Sequence, residues 1–148
     1  MSAETSTTIT FTPDQISQAA TNNVYALCLV AVAYVKAHAL SPAEFWAFVG
    51  SQVAPIWRQE RTAKEYATAA AINMVSAGCD LRSLSGDESQ ATAVLGGWPP
   101  EYRHGLTQEE ADTVWGIFGP IAESKGYSYA WHRQGDEVTM TFSRRSNG

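Results

Sequence analysis

The hydrophobic pattern of this chain has a period near 3.6 in its first half and then alternates with a period of two in two short places. From Val24 to Val35 ("VYALCLVAVAYV") apolar residues fall on every side of a helix, and a helix over about 13–39 that is apolar nearly all round is expected to be the central, most enclosed element. A second helix, about 42–61, carries Phe45, Phe48, Val49, Val53, Ile56 and Trp57 at helical spacing, with Pro55 expected to kink or split it. A third, about 63–77, is built from Ala67, Ala69, Ala70, Ala71 and Ala77, which allows close backbone approach, and Gly78 ends it. A fourth, about 107–125, spaces Ala111, Val114, Trp115, Phe118, Ile121 and Ala122 by three and four residues, with a bend expected at Gly119-Pro120 and a stop at Gly126.

Each helix has a start signal in which a Ser or Thr is followed three residues later by Glu or Gln. These are Thr12-Pro13-Asp14-Gln15, Ser41-Pro42-Ala43-Glu44, Thr62-Ala63-Lys64-Glu65 and Thr107-Gln108-Glu109-Glu110. The hydroxyl accepts from a free amide of the first turn, and the longer side chain reaches back to the cap. Proline at the first helical position reinforces the first two starts.

The alternating stretches flank two Gly-Asp-Glu turns. Leu81–Ser85 and Gln90–Leu95 surround Gly86-Asp87-Glu88, while Tyr127–Arg133 and Val138–Arg144 surround Gly135-Asp136-Glu137. In the second pair Tyr127, Tyr129 and Trp131 share one face, and Val138, Met140 and Phe142 alternate with Thr139, Thr141 and Ser143. From residue 62 the order is helix, hairpin, helix, hairpin, which hints at an internal duplication. The expected fold is α+β, with about four helices and a four-stranded antiparallel sheet made of two hairpins. A single domain over 12–144 is expected, with a disordered tail at 1–11 and a short tail at 145–148.

Composition narrows the function classes. Ten Lys and Arg stand against fifteen Asp and Glu, a net charge of −5, and the basic residues do not cluster beyond Arg144-Arg145, so neither nucleic acid nor an anionic membrane is an expected partner. The longest apolar run is twelve residues, read as too short to span a bilayer. Cys28 and Cys79 make no disulfide framework, and Met1–Thr10 does not look like a secretory signal, so a cytoplasmic location is expected.

Candidate chemistry is sparse. His38, His104 and His132 show no metal-binding spacing, so neither metal nor cofactor is expected. Cys79 at a helix end has the position of a nucleophile, against the commoner role of a buried filler. Five Trp, six Tyr and five Phe are the more telling feature. Trp46, Val49, Val53, Trp57 and Glu60 form one stripe if the second helix continues to 61, and a carboxylate beside a tryptophan suits a general acid or base, against a solvent pairing with Arg61 or Lys64. Glu60, His104 and His132 are therefore the candidate catalytic residues.

Trp57, Tyr66, Asn73, Trp98, Tyr102 and Trp131 are the candidate ligand contacts. Asn73 follows Tyr66 and Ala70 on one helical face and either bonds locally or offers its amide to a cavity. His132 is exposed if the Tyr129 and Trp131 side is the core, and faces inward if the sheet curls around a ligand. "GGWPPEYRHG" (96–105) joins the two helix-hairpin units, with Trp98 either plugging the core edge or walling a binding site.

The helical lead, "LSGDESQATAV" and "RQGDEVTMTFS" together resemble the layout of a family of small bacterial L-2-amino-thiazoline-4-carboxylic acid hydrolase-like proteins, in which helices precede two hairpins separated by a helix. The resemblance implies that fold order and a small organic ligand. Those relatives carry cysteines on or just after the hairpin strands, where this chain has Leu95-Gly96-Gly97 and Val138–Phe142. No catalytic residue is carried over.

Taken together, these features lead to an aromatic-lined cavity between helices and sheet that binds a small apolar or aromatic molecule, with metal-independent acid–base catalysis of a hydrolase or isomerase type as an extension. The alternative is a non-enzymatic homodimer or protein-interaction module, because interfaces favour the same aromatics.

Overall fold

A computed structural model describes residues 9–100 and 102–146. All four helix starts lie where their caps predict. Thr12, Ser41, Thr62 and Thr107 cap α1 (Pro13–Ala37), α2 (Pro42–Val53), α3 (Ala63–Ser76) and α4 (Gln108–Asp112), each hydroxyl accepting from the amide three residues on. The reciprocal bond to the cap's own amide forms at Thr12 and Thr107; at α3 the Glu65 carboxylate instead takes the Arg61 amide at 2.6 Å.

Two helices end earlier than their apolar spacing suggests. Pro55 does not kink α2 but stops it: α2 closes at Val53, a 3-10 turn covers Ala54–Ile56, and Trp57 leaves the helix. The fourth helix is three pieces, α4, a 3-10 segment over Thr113–Ile117, and α5 (Phe118–Glu123). Pro120 cannot donate to the carbonyl four residues back, so the break falls ahead of it and Pro120 sits in the first turn of α5, where no donor is needed.

The sheet is antiparallel throughout, in the order β1-β2-β4-β3, with β1 (Asp80–Gly86), β2 (Gln90–Gly96), β3 (Tyr127–Gln134) and β4 (Glu137–Arg144). The two hairpins join through their second strands, with Ala93 opposite Met140 and Leu95 opposite Val138. One face carries Ala91, Ala93, Leu95, Val138, Met140 and Phe142, all buried. On the other, Thr92 and Thr141 are half-buried with hydroxyls 3.3 Å apart. β1 is an exposed edge with a bulge at Leu81/Ser83, and Arg82 crosses Gly96 to reach Asp136 (2.5 Å) and Glu137 (3.3 Å). A side chain on Gly96 would occupy the space of that guanidinium.

The helices stack outward from the apolar face in layers. α3 packs on β1, β2 and β4, and α5 on β3; α2 packs on the 3-10 segment and α5. Gly50 permits that second layer, because a Cβ there would lie 2.2 Å from the Ile117 carbonyl oxygen. α3, with Tyr66, Ala67, Ala70, Ala71 and Met74 buried, holds the enclosed place expected of α1.

α1 is peripheral instead. Only Leu29, Val32 and Val35 are buried, while Leu27 is 70% and Tyr34 63% exposed. An apolar helix is not necessarily an enclosed one: α1 has two apolar faces, and its own domain covers one. Counting the twelve-residue run also understated the helix, which at 25 residues is long and apolar enough by composition to cross a membrane. Of the expected N-terminal tail, residues 9–11 are irregular and exposed and residues 1–8 lie outside the described residues, as do 147–148 of the C-terminal tail.

Candidate functional site

In the layer between helices and sheet the aromatic rings of the described residues pack against one another. Tyr66 stacks on Phe142 (6.1 Å between centroids) and leans on Tyr127 (5.0 Å), and Tyr129 packs against Phe142 (4.9 Å) and Phe118 (6.0 Å). Their hydroxyls are committed. Tyr129 donates to the Trp115 carbonyl at 2.6 Å, Tyr127 to that of Arg61 at 2.8 Å, and Tyr66 to that of Glu60 at 3.4 Å. Burial raises the Tyr66 hydroxyl pKa above its ordinary value, with the Glu60 charge adding to the effect, and burial pushes Tyr129 well up.

An apolar cavity lies one layer further out, among the helices. It is about 360 Å³ and is walled by α1, α2 and its 3-10 extension, α3, and the Thr113–Glu123 segment. Its position follows from Pro55: by ending α2, it lets Trp57 turn across the opening, parallel to Tyr66 (6.3 Å, 7°) and tilted against Phe118 (6.0 Å). Trp46, Val53, Met74 and Ile121 are among the other lining residues.

Polar groups in this lining are few. Trp46 is 5% exposed, and its Nε1 is buried with no hydrogen-bond partner among the described residues. Asn73 is exposed at the rim, its amide donating to the Ala69 carbonyl at 2.8 Å, so it bonds locally while lining the opening. Cys28 lines the cavity half-buried, and burial raises its thiol pKa.

The residues read as catalytic are not brought together. Glu60 leaves the helical stripe with Trp57 and lies on the connection to α3, in an open surface groove with Thr62, Glu65, Gly86 and Asp87. It is half-buried, its Oε2 is buried without a partner, and it forms no ion pair with Arg61 or Lys64 among the described residues. The Arg61 guanidinium donates instead to the Glu60 carbonyl oxygen, at 3.0 Å. His132 is exposed on β3, on the opposite face from half-buried Tyr129 and Trp131, which resolves the direction of that strand. His104 lies on the 97–107 loop, half-buried, with its ring 4.5 Å from that of exposed Tyr102. None of Glu60, His104 and His132 lines the cavity.

Trp98 fills space rather than walling it. It is 3% exposed, and its Nε1 donates to the Ala111 carbonyl at 2.9 Å. Its own carbonyl accepts from Arg133 Nη2 at 2.7 Å and from Gln108 Nε2 at 3.3 Å. Beside it, Arg133 grips Asp112 through two bonds of 2.5 and 2.7 Å, and Asp112 also accepts from Trp115 Nε1 at 3.2 Å. The loop is thereby tied to α4 and β3.

Cys79 is buried near this pair. Burial first, then the charge of Asp80, pushes its thiol up to about 12, so the thiolate needed by a nucleophile is not available near neutrality. Arg133 and Asp112 could not be singled out from sequence, since neither sits in a motif and they are 21 residues apart. Trp46 carried a signal, its place on the stripe of α2, but nothing local marks an indole N–H as unpartnered. Compared with models of known protein families and with curated proteins, the chain matches none.

Proposed function

We propose that the protein binds a small, largely apolar or aromatic molecule in the interhelical cavity lined by Trp46 and Trp57. One observation carries the reading: an apolar cavity of ligand size that has two tryptophans, Trp46 and Trp57, among its lining residues. The resemblance in element order to the hydrolase-like family agrees with a small organic ligand.

Binding is favoured over catalysis in this cavity. Among the described residues lining it, Cys28 is the single titratable one, and its raised pKa keeps it a thiol. The ligand class is therefore a neutral apolar or aromatic molecule held by shape and apolar contact.

The test is titration with N-phenyl-1-naphthylamine, followed by tryptophan quenching and probe emission, and then displacement by a panel of aromatic metabolites. Saturable binding that is lost when Val53→Phe or Ile121→Phe fills the cavity is the expected result. Binding of equal strength in both filled variants would sink the proposal.

A further inference from the structure

The walls of the interhelical cavity are graded from buried to exposed, which gives it a closed end and a mouth. Trp46, Met74, Phe118 and Ile121 are buried. Val24 and Ile56 are 40% and 70% exposed, and Asn73 is exposed too. All of them line the same cavity, so its outer end is formed by α1, the 3-10 turn after α2, and α3.

The polar side chain at this mouth is Asn73, while Val24 and Ile56 offer carbon. The amide is held in place, because its Nδ2 donates to the Ala69 carbonyl at 2.8 Å. A carbonyl only accepts, so that partner takes the nitrogen and leaves Oδ1, an acceptor, without a partner among the described residues.

Charge is absent from the lining: no Asp, Glu, Lys, Arg or His is among the described residues that wall the cavity. The charged residues of α1, Asp14 and Lys36, lie roughly three helical turns to either side of Val24. Lys36 is already paired with Glu110 at 2.9 Å. Arg58 is the nearest cation along the chain to Ile56; its Nε donates to the Pro55 carbonyl at 3.2 Å, and it is not a lining residue.

We infer that Asn73 selects the ligand by its polar end. The molecule enters the cavity apolar end first and leaves a neutral hydrogen-bond donor, a hydroxyl or an uncharged N–H, at Asn73 Oδ1. This orientation rests on the cavity reading proposed above and adds to it the chemical class of the occupant. A ligand seated at the mouth replaces the water that Oδ1 otherwise meets, and an analogue without a donor leaves that oxygen one hydrogen bond poorer. Because the position is exposed, the discrimination is modest, about fivefold. Because Ala69 already fixes the amide, little side-chain entropy is lost on binding.

Displacement of N-phenyl-1-naphthylamine by 2-naphthol and by 2-methylnaphthalene, two compounds of nearly the same shape, tests this. They differ in their partition from water, so the quantity to compare is their affinity ratio in the parent protein and in Asn73→Leu and Asn73→Ala. Both variants should lose about fivefold in preference for 2-naphthol and keep their affinity for 2-methylnaphthalene, which also reports an intact fold. Asn73→Asp, which retains an acceptor oxygen, should keep the preference. An unchanged ratio in the Leu and Ala variants overturns this inference and leaves the cavity reading standing. Tighter binding of 2-naphthoate than of 2-naphthol overturns it as well, because an anionic end then goes to Arg58. Displacement of the probe by neither neutral compound overturns both readings.

Discussion

The layer between α3 and the sheet and the layer between α1 and α2 are built to different standards. In the first, aromatic rings fill the space and tyrosine hydroxyls reach backbone carbonyls, and in the adjoining contact of α4 with β3 the buried Asp112 carboxylate takes Arg133, Trp115 and Gln108. In the second, a cavity remains, an indole N–H has no partner among the described residues, and one face of α1 is apolar and exposed. Unfilled volume and unpaired donors cost stability, and under the proposed function a ligand in the cavity offsets the unfilled volume. The contrast separates the part of the molecule that holds the fold from the part available for binding.

The largest effect should come from breaking the best-satisfied group of the inner layer. Arg133→Met leaves the Asp112 carboxylate buried without its cation, and urea unfolding should show a loss of about 3–5 kcal/mol. A loss below 1 kcal/mol would mean that this layer is no better braced than the outer one. Added volume gives the next test. Ala70→Leu, where α3 meets the sheet with no room, should destabilise by about 1–3 kcal/mol. Val53→Phe, on the cavity wall, should leave the urea midpoint unchanged or raise it. Equal losses in the two variants would erase the distinction between the layers.

The smallest effect concerns the ion pair that fastens α1. The Glu110 carboxyl is held below its ordinary 4.5 by the Thr107 amide and then by Lys36. A depressed folded pKa means that this contribution is present above about pH 4.5 and disappears as pH falls through the lowered value. Because Lys36 is half exposed, the ion pair itself should be worth at most about 0.5 kcal/mol. Glu110→Gln should flatten the stability curve in that acid range and leave it unchanged at neutral pH apart from this small loss. A steeper acid loss in Glu110→Gln than in the parent protein would contradict the assignment.

Legibility in the sequence tracked the range of the interactions. The four caps, the proline at the start of α1 and α2, and both hairpins were readable because each signal acts within a few residues. The α+β class with a four-stranded antiparallel sheet followed from them. Helix ends were less readable: the apolar spacing of α2 ran on past Pro55, and that of the fourth helix ran through residues the structure divides into three. In both, a missing backbone donor overrode side-chain periodicity.

The candidate site was readable only in part. Trp57 and Asn73 do line the cavity, but the stripe that tied Glu60 to Trp57 assumed a helix that had already ended. Trp98 and Tyr66 proved to be filled positions, and Trp46 was passed over as a site.

What the sequence determined by itself is the set of elements and where each begins, since caps, turns and alternation are decided by neighbours along the chain. Tertiary structure alone decided which apolar face of α1 is covered, that Trp98 fills rather than lines, and that the free volume sits among helices. Those outcomes depend on which surfaces meet across tens of residues, as when Arg133 closes on Asp112 or Gly50 lets α2 settle on Ile117, and local pattern carries no record of that choice.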